Sequence, residues 1–151
     1  NLMLAKSLPE IVIGEPDIKV GNNGEFELEV EIENMGVLPT ALLQAQLVKI
    51  VRPDMLHLDF PEGYVRMPRR GGGRSGRQQA EEEEPQETPK VEILEPESGS
   101  PSIDIDRLIG GEKKKVKFKI RLNGITETTA TIRFESTRGG VITKDIMFES
   151  R

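Results

Sequence analysis

Cysteine and tryptophan are absent from the 151 residues, and there is a single histidine and a single tyrosine. Without cysteine there is no disulfide framework, no thiolate nucleophile and no Cys-based zinc site. Aromatic residues make up only 4% and hydrophobic residues 35%, against 31% charged, so part of the chain is not core. Val, Ile and Leu must build most of the interior, with Phe26, Phe60, Phe118, Phe134 and Phe148 as its bulkiest pieces. The net charge of −5 argues against a general polyanion binder, so no nucleic-acid partner is expected. No apolar run is long enough to span a bilayer. The chain starts at Asn1 with no visible signal peptide and reads as a segment of a longer protein, any export signal lying outside it.

What is present is alternation. Phe26, Leu28, Val30 and Ile32 interleave with Glu25, Glu27, Glu29, Glu31 and Glu33, which on a strand puts one set inside and the other in water. From Lys113 to Leu122 the pattern recurs with Lys115, Lys117, Lys119 and Arg121 on the wet face, so glutamates and bases can pair across a sheet. Further strands are predicted at Ile11–Ile13 and Asp17–Val20, at Met55–Phe60 after a Pro53-Asp54 turn, at Val91–Leu94, around Ile103 and Ile105, at Thr128–Ser136 and at Val141–Phe148. The segment from Ala41 to Gln46 has helical propensity, but β-branched residues up to Val51 favour one long strand over Ala41–Arg52. Turn residues separate these runs: Gly21 to Gly24, Asn34-Met35-Gly36, where Asn and Gly tolerate positive φ, Gly110-Gly111, and Gly139-Gly140. About seven or eight short antiparallel strands without an amphipathic helix predict an all-β, immunoglobulin-like sandwich. The expected layout is a tail or linker over 1–7, one domain over 8–148, a disordered loop at about 66–90, and a C-terminal tail over 149–151.

Chemistry is hard to find. His57 lies out of phase with Leu56 and Leu58, which makes it a solvent-facing strand residue without His or Cys partners for a metal or for acid–base work. Asp104 and Asp106 would share a strand face, but no calcium-loop spacing surrounds them, and two solvated carboxylates is the simpler reading. The Gly/Arg tract Arg69–Arg77 lacks interleaved aromatics and is followed by Glu81–Glu84, so it reads as a self-neutralising linker. Gly71-Gly72-Gly73 precedes no Lys-Ser or Lys-Thr pair and is no phosphate loop. No catalytic, metal or cofactor residue is expected in this chain.

The stretch Glu33-Asn34-Met35-Gly36-Val37-Leu38-Pro39-Thr40 is more informative, with Val48–Pro53, Pro61-Glu62-Gly63, Leu108–Lys113 and Ser136–Gly140. Together these resemble the non-catalytic C-terminal extension of bacterial zinc carboxypeptidases, over about Leu8 to Phe148. The residues carrying the likeness, Asn34, Gly36, Pro39, Thr40, Gly110, Gly111, Gly139 and Gly140, are structural; the family's zinc-binding His-x-x-Glu and later His have no counterpart. The resemblance implies an accessory domain beside a peptidase domain that holds the zinc, in a secreted or periplasmic protein, supporting folding or stability or presenting protein or cell-wall substrate. The alternative is an independent extracellular adhesion or ligand-binding sandwich. Upstream sequence separates them: a zinc motif supports the first, tandem sandwiches the second.

Overall fold

A computed structural model describes residues 7–61, 64–65 and 88–150. Among these residues, nine strands and one short helix follow in chain order: β1 (Ile11–Ile13), β2 (Asp17–Val20), β3 (Glu25–Asn34), α1 (Leu43–Leu47), β4 (Asp54–Asp59), β5 (Val91–Glu95), β6 (Ser102–Asp106), β7 (Lys113–Leu122), β8 (Glu127–Ser136) and β9 (Gly140–Glu149). One sheet has the order β1-β3-β7-β5, with β2 also on β3; the other has the order β6-β4-β8-β9. Every strand pairing is antiparallel. This is the A-B-E-D over C-F-G order of an immunoglobulin-like sandwich, with β6 added beside the C position. The helix is far too short to cross a membrane, and no described helix is long and apolar enough to do so.

The alternating residues behave as their period requires. Phe26, Leu28, Val30 and Ile32 of β3 and Phe118 and Ile120 of β7 meet Leu56, Leu58, Ile132, Phe134 and Phe148 of the other sheet in one core. Phe26 and Phe148 meet edge to face, 5.5 Å between centroids, which links the two sheets. Phe60 is only partly buried and stacks on Phe148 from the margin.

The outer face of the first sheet is a charge ladder. Glu25 faces Arg121, Glu27 faces Lys119, Glu29 faces Lys117, Glu31 faces Lys115 and Glu33 faces Lys113. Ion pairs run straight across and diagonally: Lys117 Nζ lies 3.7 Å from Glu27 and 3.5 Å from Glu29, and Lys113 lies 3.2 Å from Glu33. Arg121, then Lys119, holds the Glu25 carboxyl below its ordinary range, and Lys115 does the same to Glu29. Exposed pairs contribute little singly, but the ladder disfavours any register that places like charges together. Lys117→Glu puts a carboxylate opposite Glu29 and is expected to lower the urea midpoint at low ionic strength. Roughly half of that loss should vanish in 1 M salt, where screening acts over a few ångströms; a salt-independent loss would mean that packing, not charge, is at stake.

Three expectations need correction. The Ala41–Arg52 stretch is not a strand: it holds α1 and its flanking turns, its backbone bonds closing locally, as from Gln46 N–H to Leu42 O and from Val48 N–H to Gln44 O. Asp54 is not in a turn but opens β4, fully buried. The expected disordered loop lies largely outside the described residues, but its predicted end at Lys90 is too late. There Asn123 already donates to Pro89 O at 3.1 Å through its side chain and to Lys90 O at 2.8 Å through its backbone. The expected tail over 1–7 lies outside the described residues except for Ser7, and that over 149–151 is described up to Ser150, whose N–H donates to Thr126 O.

Candidate functional site

The residues singled out in the sequence converge on one end of the sandwich, where the chain enters and where the β3–β4, β6–β7 and β8–β9 connections meet. Asn34, the last residue of β3, is the hub. Its Oδ1 accepts from the N–H groups of Glu10 (3.1 Å) and Gly36 (3.0 Å), and its Nδ2 donates to Leu38 O (2.9 Å) and Leu108 O (3.3 Å). Its backbone N–H donates to Glu112 O, and its carbonyl accepts from Gly111 N–H. The side-chain amide thus uses its full capacity while fully buried, tying three distant segments together.

Positive φ is not what this turn needs, contrary to the sequence expectation: neither Asn34 nor Gly36 adopts it. Gly36 is required for close approach, since a Cβ there would run into Leu8 O and lie 2.7 Å from Glu10 N. Gly110 is in the same situation against Val37 O, and Gly139 against Ile11 Cγ1 at 2.8 Å. Gly111 and Gly140 do take positive φ, at 77° and 75°. Pro39 leads into Thr40 rather than into a strand; Thr40 is buried, donates its N–H to Leu108 O (3.0 Å) and accepts Leu108 N–H on Oγ1 (2.9 Å).

Between Thr40 and Asp54 the chain forms an apolar lobe. Leu42 precedes α1 with no side-chain cap, and the helix closes in a Schellman turn. Lys49, at φ 55°, donates to Gln46 O (3.0 Å), and Ile50 N–H reaches Ala45 O (3.1 Å). No residue of the helix is buried. Leu47 is 72% exposed, Val48 63% and Ile50 80%, with Leu42 and Leu43 about half exposed. Met35, Val37 and Leu38, on the segment that leads into the lobe, and Leu8 and Ile109, on the segments beside it, are exposed as well. Leu38 N–H donates to Ser7 O at 2.9 Å, so the chain enters beside these residues. Large apolar residues are thus exposed along this segment, with Gln44, Gln46 and Lys49 between them.

At the base of the lobe, Asp54 is fully buried, with the hydroxyls of Thr40 and Ser136 beside its carboxylate. Burial raises its pKa; the hydroxyls of Thr40 and Ser136 and the charge of Lys114 pull the other way without prevailing, and Asp106 adds to the rise. Both hydroxyl oxygens already accept backbone N–H groups, from Leu108 and from Gly139 (3.1 Å). Lys114 Nζ donates to Ile105 O (2.9 Å) and Arg107 O (2.8 Å).

His57 lies on the outer face of the second sheet, directly across from Ser102, with Nδ1 2.7 Å from Ser102 Oγ and Nε2 3.7 Å from Glu135. Sequence reasoning missed this contact, because its members come from three strands. Glu135 is held more closely by Arg133 (2.9 Å), which also bonds Asp59 (2.7 Å). Burial and then Arg133 keep the imidazole pKa low. The Ser102 N–H donates to Ser100 Oγ, leaving it unavailable to stabilise an oxyanion. The trio is a cross-strand polar contact of the ordinary kind. Asp104 and Asp106 are both exposed, and Asp104 Oδ1 accepts the Asp106 N–H at 2.7 Å. Among the described residues there is no group of three or more His, Asp or Glu side chains that could hold a metal ion.

A family model described as a domain of unknown function, DUF8731, matches residues 10–147. No curated protein matches the chain. Among solved structures, the GAE domain of GGA2p from Saccharomyces cerevisiae is similar at 10% identity, covering 94% of this chain and 90% of that one, with a TM-score of 0.41.

Proposed function

The chain belongs to the DUF8731 family, and on that premise we propose that it is a non-catalytic accessory domain that docks a neighbouring folded domain through its apolar lobe. The observation that carries this reading is the exposed row Leu42, Leu43, Leu47, Val48 and Ile50, held on a base that Thr40 and the Asn34 hub fix in place. A rigid base lowers the ordering cost of binding, and large apolar side chains supply the area. The resemblance of Glu33–Thr40 and the other motifs names the class of neighbour. It is a zinc carboxypeptidase domain on the N-terminal side, outside the cytoplasm, whose folding or substrate presentation this module supports.

The test is the double variant Leu47→Glu/Ile50→Glu, made in the isolated chain and in the parent protein. In the isolated chain its unfolding free energy should change by less than about 0.5 kcal/mol, as at other exposed positions. In the parent, the neighbouring domain should lose the stabilisation it gains from this one and melt separately. An unchanged parent melting profile would remove the docking role. A parent without a zinc motif would remove the peptidase assignment and leave the docking role standing.

A further inference from the structure

Among the described residues, the fourth position of the first sheet is only half filled. Leu122 N–H donates to Gly24 O and Asn123 N–H to Lys90 O, so alternate residues of β7 address opposite neighbours. By that alternation the backbone groups of Lys114, Val116, Phe118 and Ile120 face β3, and those of Lys113, Lys115, Lys117, Lys119 and Arg121 face the β5 side. On that side β5 pairs only with residues from Leu122 to Lys119. After Glu95 the chain turns through Pro96 and Gly99 and joins β6 in the other sheet. Along Lys113–Lys117 no described strand takes up this edge. A groove of about 540 Å3 lies there, walled by Ile103, Asp104 and Ile105 of β6.

We propose that this vacant strand position is a docking edge for an extended segment of another protein, acidic at alternate residues, which pairs antiparallel with Lys113–Lys117 in line with β5. The chain itself shows the chemistry that the position takes. Where β5 fills it, Glu92 stands opposite Arg121, 3.6 Å from its guanidinium, and Glu95 stands opposite Lys119. Continuing that line places an incoming acid opposite each of Lys117, Lys115 and Lys113, whose side chains are more than half exposed. The intervening residues would turn inward towards Val116 and the partly buried Ile103, which calls for small apolar side chains. Main-chain bonds would supply affinity and the acid–lysine pairs register, as in other strand additions. This edge is independent of the apolar lobe.

The probe is a blocked hexapeptide alternating Glu and Val, with an alternating Lys and Val peptide as control, added to the full chain and followed by amide hydrogen exchange. Lys113, Lys115 and Lys117 amides should exchange at least about tenfold more slowly with the acidic peptide, while Lys114 and Val116, bonded to β3, keep their rates. Lys115→Pro removes a donor from the open edge only, and Ile103→Trp fills the groove from the β6 side; both should abolish the protection in folded protein. Protection elsewhere, equal binding of the basic peptide, loss of protection in β3 through strand exchange, or no protection at all would each overturn the proposal.

Discussion

Replacing Asn34 with alanine is expected to lower the unfolding free energy by about 3–5 kcal/mol, measured by urea denaturation. The side chain is fully buried and makes four hydrogen bonds to the main chain of Glu10, Gly36, Leu38 and Leu108. Truncation leaves two donors and Leu38 O without partners, while Leu108 O keeps its bond from Thr40 N–H; each buried unsatisfied group costs about 1–3 kcal/mol when water cannot reach it. Partial opening of the turn towards solvent recovers some of this, which sets the total below the simple sum. The damage should be local as well as global: amides of Gly36 and Thr40 should lose exchange protection ahead of those in β8. Asn34→Asp should be no milder at neutral pH, because the aspartate keeps the acceptor but turns a negative oxygen towards Leu38 O and Leu108 O. A loss below about 1 kcal/mol for the alanine variant would show that water or backbone movement replaces the hub at little cost.

The sandwich was legible in the sequence because both long inner strands of the first sheet carry an unbroken period of two, and the Glu and Lys faces of β3 and β7 even indicated their pairing. The order of strands was not, since period reveals a face but not a neighbour. Asn34 and Gly36 stood out for a reason the structure changes. Their partners lie far off in sequence, up to 74 residues in the bond to Leu108 O, so the motif looked like a local turn when it is a tertiary clasp. The apolar lobe misled for a different reason. Reading Ala41–Arg52 as strand rests on its β-branched residues, whereas here Leu42, Leu43, Leu47, Val48 and Ile50 are exposed around a short helix. The helix ends at Leu47, and the turn that closes it puts Lys49 at positive φ without the Gly or Asn that normally signals such an end. Asp54 was invisible beside Pro53: a carboxylate after proline reads as turn, and only the packing of Thr40 and Ser136 reveals that it is interior.

Asp54→Asn is the counterpart in the opposite direction and should stabilise the protein at pH 7, seen as a higher urea midpoint. Asparagine keeps the shape and removes the ionisation that burial opposes. The folded-state pKa lies above that of the unfolded chain, where an aspartate titrates near 4. Between the two values the native state holds a proton that the unfolded state has released, so wild-type stability falls as pH rises through this window. Well below about pH 4 both states are protonated and the advantage of the variant should be small. It should grow as pH rises to the folded-state pKa and then stay constant, a profile read from urea midpoints across pH. The opposite profile, with the wild type gaining on the variant as pH rises, would mean that Lys114, Thr40 and Ser136 together overcompensate the burial of an ionised carboxylate. The outcome therefore decides whether β4 begins on a neutral acid that weakens the base of the lobe once ionised, or on an anion that the surrounding hydroxyls and Lys114 hold in place.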